Sequence, residues 1–507
     1  MNFDFSDNSV LSDGSNSVSG SELFANARML AAKLKGANLS RIGLFAGNSL
    51  GWVTVDLACL IGGVCLVPIP TFFSDKQRNH LVKTCALQAV AVDTDSDFPG
   101  DRVDSLVGTA AGIDFFLQQE SNDSIQDLQL PESTGKITFT SGSTGTPKGV
   151  CLSHTQLLRQ AQTLADVVAI ENPKHLCVLP LSTLLENVAG LYAPLFVGGE
   201  VVIPPLEELG FRGSILADPQ KLLQSISRFQ PQSMILIPQL LQFLVSAMSQ
   251  GWEAPDSLRF VAVGGGKVSS KLLQAAHDAG LPVFEGYGLS ECASVVSLNA
   301  LAANSTGSCG RPLLGLEVTI EQGEIVVSGN SMLGYVNEPE SWYPDRIATG
   351  DLGFFDQAGF LHIEGRKKNL LISSYGRNIS PEWVESELLG NPIIKEVILL
   401  GDARPYCIAL IFPRNDLALN AAEVNVHLND WIEQVNAGLP DYAQVRAWHR
   451  LTEPLQQDPV LMTDNGRPRR DAIASRFTKE IENLYEQEMK FVKREAPINR
   501  RGRDVIF

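Results

Sequence analysis

The chain reads as an α/β protein: a large N-terminal domain of parallel-rich sheets with flanking helices and a small β-barrel-like subdomain, then a small mobile C-terminal α+β domain. Three observations predict this. Up to about residue 308, short apolar runs alternate with amphipathic helical stretches, the pattern of parallel strands joined by helical crossovers. Beyond that point, pairs of short strands around glycine turns replace the alternation. The length, 507 residues, exceeds what one hydrophobic core ordinarily organises. The expected boundaries are a mobile tail at 1–20, a large domain at 21–365 with its β-rich part at about 308–365, and a small domain at 366–507.

The elements follow in order. Residues 1–20 are rich in Ser, Asn and Asp and lack the basic start and apolar core of a secretory leader. Ser21 is a candidate helix cap, because Leu23, Phe24, Ala27, Leu30, Ala31 and Leu34 then recur at helical spacing until Gly36. "RIGLFAG" from Arg41 predicts a strand, and "SLGWVTVDLACLIGG" predicts a helix leading to the strand "VCLVPI". The apolar run at 52–70 is interrupted by Asp56, divided by Gly62 and Gly63 and closed by prolines. It therefore reads as helix then buried strand, not as a membrane span of about 20 unbroken apolar residues. "AVAVD", "KITFT", "HLCVLP", "SMILIP" and "RFVAVGG" continue the strand series. "LEVTIEQGEIVVSG" and "GFFDQAGFLHIEG" each read as a hairpin. A helix near Pro381, the strands "EVILLGD" and "CIALIFP" and charged helices complete the chain.

Composition narrows the function. The net charge is −17, which disfavours sequence-independent nucleic-acid binding, since that rests on Lys and Arg neutralising phosphates. No nucleic-acid partner is expected, and any polyanion must meet a local cationic site. The eight cysteines form no CxxC pair and several lie in apolar runs, so buried, reduced thiols and a cytoplasmic location are expected.

The most informative stretch is "FTSGSTGTPKGV" at 139–150. A strand runs straight into a loop whose glycines at 142, 145 and 149 permit positive φ and close backbone approach. Backbone N–H groups of such a loop form an anion nest. Thr140, Ser141, Ser143, Thr144 and Thr146 add hydroxyls, and Lys148 adds a mobile charge. The donor set suits a di- or triphosphate. It is neither the Walker pattern nor Gly-x-Gly-x-x-Gly, and the alternative, a Ser/Gly linker, does not ordinarily follow a buried strand.

This loop resembles the phosphate-binding signature of the adenylate-forming superfamily, which includes acyl-CoA synthetases, and further motifs follow in family order. In "FEGYGLSE", Tyr287 offers a face for adenine, Gly288 beside it belongs to the nucleotide-binding set, Ser290 offers a hydroxyl, and Glu291 a hard oxygen ligand for Mg²⁺. "VGGGK" places Gly265 after a strand, where the family contacts adenine. In "ATGDLG", Asp351 is suited to the ribose hydroxyls. "IEGRKKNLLISSYGRNISPEWVE" resembles the hinge segment and looks closest to long-chain fatty acid CoA ligases. There Arg366 fits the nucleotide-reaching arginine and Lys368 the pivot, while Lys367 reads as a solvated charge. "VLPLSTLLENVAG" resembles the stretch framing the acyl pocket, with Thr183 and Leu184 where relatives carry an aromatic or His.

One departure stands out. The family carries a lysine near its C-terminus in an Asn-Gly-Lys context, whereas this chain has "TDNGRPRR", with Arg467 at that position. Guanidinium is planar and forked and does not simply replace a compact ammonium, although it keeps its charge and binds phosphate and carboxylate well. The resemblance implies ATP- and Mg²⁺-dependent activation of a carboxylic acid, of medium- to long-chain fatty type, to an acyl-adenylate, then transfer to coenzyme A. Two alternatives stay open: a ligase that loads the phosphopantetheine of an acyl carrier protein, and an adenylation-impaired nucleotide-binding pseudoenzyme. Peripheral contact with a membrane surface also stays open.

Overall fold

The computed structural model describes residues 5–94, 96, 98–118, 128–140, 148–414, 420–458, 460–463 and 468–495. The chain divides into two compact units, Met1–Glu364 and Gly365–Phe507. Each is built around its own apolar clusters.

Among the described residues, the first unit holds a nine-stranded, an eight-stranded and a four-stranded sheet. The two large sheets have parallel centres and antiparallel margins. In the nine-stranded sheet, Ser233–Leu236 lies parallel to Phe260–Val263, which lies parallel to Val283–Tyr287. In the eight-stranded sheet, Arg41–Phe45 is parallel to both Cys65–Pro68 and Ala89–Asp93. Central strands such as Cys65–Pro68 and Ser233–Leu236 are buried at every residue, as parallel strands covered on both faces must be. This is why these segments read as unbroken apolar runs.

The helix Gly20–Gly36 buries Leu23, Phe24, Ala27, Leu30, Ala31 and Leu34. Its cap is Ser19, whose side chain accepts from Glu22 N, and not Ser21 as the sequence suggests. An N-cap oxygen must reach the N–H groups two or three residues on, and Ser19 stands at that distance while Ser21 Oγ only meets Ser19 Oγ at 3.1 Å.

The expected mobile tail is corrected too. Val10–Ser12 pairs in parallel with Glu200–Val202 and antiparallel with Ser17–Ser19. Leu11 is fully buried. Leu11, with Phe5 and Val18 packed against the same core, plus backbone pairing, holds a Ser/Asn-rich segment that composition alone marks as loose.

The four-stranded antiparallel sheet contains Glu317–Glu321, Glu324–Ser328, Arg346–Phe355 and Leu361–Arg366. The first pair turns at Gly323, whose φ of +84° an L side chain rarely adopts.

The second unit centres on three strands, Ile394–Leu400, Cys407–Pro413 and Val445–Arg450. The first two pair antiparallel and the last two parallel. Alternation decides its two faces. Val397, Leu399, Ala409 and Ile411 join the cluster under the helices Pro381–Leu389 and Ala421–Asn436. Ile398, Leu400, Ile408 and Leu410 join the opposite one, with Ile473 and Tyr485. The period-two rule thus makes a fully apolar strand serve two layers.

Candidate active site

The site of the first unit begins where Lys136–Thr140 and Lys148–Leu152 pair antiparallel, with Thr140 opposite Lys148. Ser141, Gly142, Ser143, Thr144, Gly145 and Thr146, expected to cradle phosphates, lie outside the described residues. Gly149 is described and has an ordinary strand conformation. Its need for glycine is space: a Cβ there would come 2.8 Å from Val336 Cγ2 and 3.0 Å from Ile137 Cγ2.

Lys148 is about one-third exposed and its Nζ donates to Glu338 Oε2 at 2.7 Å. The same ammonium lies 4.7 Å from the centre of the Tyr335 ring, within cation–π range. Tyr335 belongs to Gly334–Tyr335, which pairs with the Lys148 strand on its other side. The Tyr335 hydroxyl donates to Glu291 Oε1 at 2.9 Å. Burial first, and then the Glu291 carboxylate, push the phenol well above its ordinary range. One tyrosine therefore joins a lysine and a carboxylate that the sequence places far apart.

Glu291 sits in the short turn Ser290–Cys292 after the strand Val283–Tyr287. Met332 N donates to its carbonyl at 2.7 Å. Gly288 is dictated by proximity, since a Cβ there would fall 1.7 Å from Ser294 O. The Tyr287 hydroxyl donates to Asp351 Oδ2 at 2.6 Å. Asp351 is 5% exposed and follows Gly350, which has φ +72°. The expected adenine-facing ring and ribose-facing carboxylate are thus direct neighbours. Gly265 follows the strand Phe260–Val263 with φ +80°. Thr183 is exposed on a turn and Leu184 is buried in the core.

Sequence reasoning missed Tyr335, Glu338 and Glu285. The first two are signalled only by a "GYVNEPE" run with no obvious chemistry. Glu285 is buried and its carboxyl is pushed up to about 7 by burial, against the pull of the Lys267 ammonium and a backbone bond from Val268. Lys267 Nζ itself donates to Ile363 O at 2.8 Å.

Beneath the site, Lys136 is buried in a four-member network. Its ammonium donates to Asp56 Oδ1 at 2.6 Å, Asn187 Oδ1 at 2.5 Å and Tyr192 Oη at 3.0 Å. Asn187 Nδ2 and Tyr192 Oη donate to Asp56 Oδ2. Glu186–Tyr192 winds as a π-helix, and its wider i→i+5 turn brings residues five apart toward one face.

His175, Cys177 and Glu186 bring their ligand-type atoms within 4.8 Å of one another, but they form a filled hub. Glu186 accepts from His175 Nε2 and Leu179 N. A Cβ on Gly190 would fall 2.3 Å from Glu186 Oε1. Hydrogen for hydrogen, the carboxylate is satisfied by protein.

In the second unit, Arg366 ends the strand Leu361–Arg366 and Lys367–Asn369 forms a single turn in which Lys368 is exposed. Arg467 lies outside the described residues. Its neighbour Arg470 is committed elsewhere: Nη1 and Nη2 meet Glu385 Oε1 and Oε2 at 2.7 and 2.8 Å, and Nη1 also donates to Leu399 O.

Against known proteins, the family model "AMP-binding enzyme" matches residues 4–336, and "AMP-binding enzyme C-terminal domain" matches residues 368–489. A 2-succinylbenzoate–CoA ligase of Bacillus subtilis (strain 168) is 29% identical over 405 residues, 76% of this chain and 80% of the relative. A long-chain-fatty-acid–CoA ligase, FadD15, of Mycobacterium tuberculosis (strain ATCC 25618 / H37Rv) is 23% identical and covers 88% of each chain. Among solved structures, the anthranilate CoA ligase AuaEII in complex with anthranoyl-AMP has a TM-score of 0.73 at 20% identity, covering 93% of this chain and 94% of the other. The B. subtilis o-succinylbenzoate coenzyme A synthetase in complex with AMP has a TM-score of 0.69 at 25% identity, covering 89% and 93%.

Proposed function

The chain belongs to the AMP-binding enzyme family, and from that premise we propose that it is an AMP-forming acyl-CoA synthetase, using ATP and Mg²⁺ to join a carboxylic acid to coenzyme A. The observation that carries this reading is the line Lys148–Tyr335–Glu291: a cation over the face of one aromatic ring and a carboxylate bonded to its hydroxyl. That pairing suits a polyphosphate with a hard cation. Glu291 is the residue that would hold Mg²⁺, whose charge offsets that of the phosphates.

In the first half-reaction a carboxylate oxygen attacks the α-phosphorus and the bond to pyrophosphate breaks. In the second, the coenzyme A thiol gives its proton to solvent, the thiolate sulfur attacks the acyl carbon, and the acyl–phosphate C–O bond breaks so that AMP departs with the bonding electrons. Two anions must approach in the first step, so fixed cations and donors supply much of the rate. Lys148 and the loop from Thr140 take the β- and γ-phosphates. Tyr287 and Asp351 take adenosine, with Gly265 and Gly288 allowing close approach. Ser290 and Arg467 orient the reacting groups. Arg366 serves the nucleotide and Lys368 the pivot between half-reactions. Water must be excluded from the mixed anhydride.

For the acid we favour a medium- to long-chain fatty acid; FadD15 is by name a long-chain-fatty-acid–CoA ligase, which supports the long-chain end of that range. A 29% identity to 2-succinylbenzoate–CoA ligase supports an aromatic acid as the second reading. The test is acid-dependent pyrophosphate exchange across a panel of graded fatty and aromatic acids, followed by thioester formation with coenzyme A or a carrier protein. Exchange with no acid would leave a nucleotide-binding protein without ligase chemistry. Arg467→Lys belongs in the same assay: equal or faster adenylation is expected if Arg467 fills the lysine role.

A further inference from the structure

Glu338 has no part in the chemistry above, yet it holds the ammonium that the polyphosphate needs. We infer that Glu338 is an internal competitor for the polyphosphate tail of the nucleotide, an inference that rests on the proposed ligase reading of the same site. Its carboxylate lies 2.7 Å from Lys148 Nζ. It is also fixed at the backbone: Glu338 N donates to Tyr335 O, and its carbonyl accepts from Ser341 N at 2.9 Å and Ser341 Oγ at 2.7 Å. The preceding Asn337 has φ +59°, which sets the turn.

The charges define the consequence. With Glu338 on Lys148, the cation is neutralised, and the group bonded to the Tyr335 hydroxyl is the Glu291 carboxylate. An arriving triphosphate must break the ion pair, and the released carboxylate then faces an anion. AMP has no β- or γ-phosphate and leaves the pair intact. Glu338 therefore weakens ATP and pyrophosphate binding selectively and assists pyrophosphate release by reclaiming Lys148. The pair is about one-third exposed on each side, so the effect is modest: partly solvated ion pairs contribute up to about fivefold in an equilibrium constant.

The experiment measures equilibrium binding of ATP with Mg²⁺, and of AMP, to the full-length protein and to Glu338→Gln, alone and combined with Lys148→Met. In Glu338→Gln the Kd for ATP is expected to fall about two- to fivefold, with the Kd for AMP unchanged. With Met at position 148 the gain should vanish. An unchanged ATP affinity in a parent that binds ATP would overturn the inference and spare the ligase reading. So would an equal gain for AMP, or the same gain with Met at 148, which would mark simple repulsion. Weaker ATP binding with a raised Mg²⁺ requirement would make Glu338 a metal ligand instead. A parent that binds no ATP would overturn both readings.

Discussion

Single residues here carry charge in places where solvent does not screen it fully. Glu291 is the carboxylate to test first. Glu291→Ala is expected to lower the adenylation rate by about 10²- to 10³-fold, the scale for losing one electrostatic group at a transition state. Tyr335→Phe keeps the ring beneath Lys148 and removes only the hydrogen bond to Glu291, so a loss below about tenfold is expected in the same pyrophosphate-release assay. Glu285 gives a pH signature. Its carboxyl rises from an ordinary 4.5 to about 7 because burial disfavours the anion. The stability it contributes is therefore complete below pH 4.5 and is lost as pH rises through about 7. Glu285→Gln should raise the thermal midpoint over the parent at pH 8 and match it at pH 5. His154 slopes the other way. Burial, then the Lys136 ammonium, lower it to about 4, so its contribution is present above 6.5 and lost as pH falls through 4.

At the level of elements, the hairpin that presents Thr140 and Lys148 is anchored by a buried charge at its far end. Lys136 opens the strand and reaches Asp56 on the helix Leu50–Gly62 and two residues of the π-helix Glu186–Tyr192. Lys136→Met strands the Asp56 carboxylate in the core. A loss of about 3–5 kcal/mol in denaturant-derived stability is expected, because an uncompensated buried charge is the costly state. Adding Asp56→Asn should restore most of it, since the neutral amide needs no counter-ion. In the second unit, Arg470 performs the comparable task, tying the helix Arg470–Arg476 to Pro381–Leu389 through Glu385. Arg470 is thus committed to the fold, and Arg467, which stands at the position of the expected lysine, is the arginine to mutate.

For the whole molecule, the division near residue 364 has a measurable consequence. Each unit has its own apolar clusters, and every residue of the Lys148–Tyr335–Glu291 line and of the Tyr287–Asp351 pair lies before Gly365. Residues 1–364 expressed alone should remain folded and bind ATP, while thioester formation should fall by at least about 10²-fold for want of the groups after Gly365. Circular dichroism, nucleotide titration and a thioester assay read the three parts of that outcome separately. An unfolded 1–364 fragment would mean that the two units are not independent in folding.

The fold class was legible because its signals are local: strand period, cap residues, glycines at turns and the length of apolar runs. "FEGYGLSE" and "ATGDLG" are likewise short segments whose residue types already imply a chemistry, and the structure makes Tyr287 and Asp351 neighbours, while residues 141–146 of the glycine loop lie outside the described residues. Two local signals misled. A Ser/Asn-rich start looked loose although Leu11 is buried in a sheet, and Gly149 looked like a turn glycine although it is packed within a strand. Only the tertiary structure could pair Lys148 with Glu338, 190 residues away, set Tyr335 between Lys148 and Glu291, and surround Lys136 with Asp56, Asn187 and Tyr192. A charge in a low-dielectric interior must find its partner through space, and sequence spacing has no term for that distance.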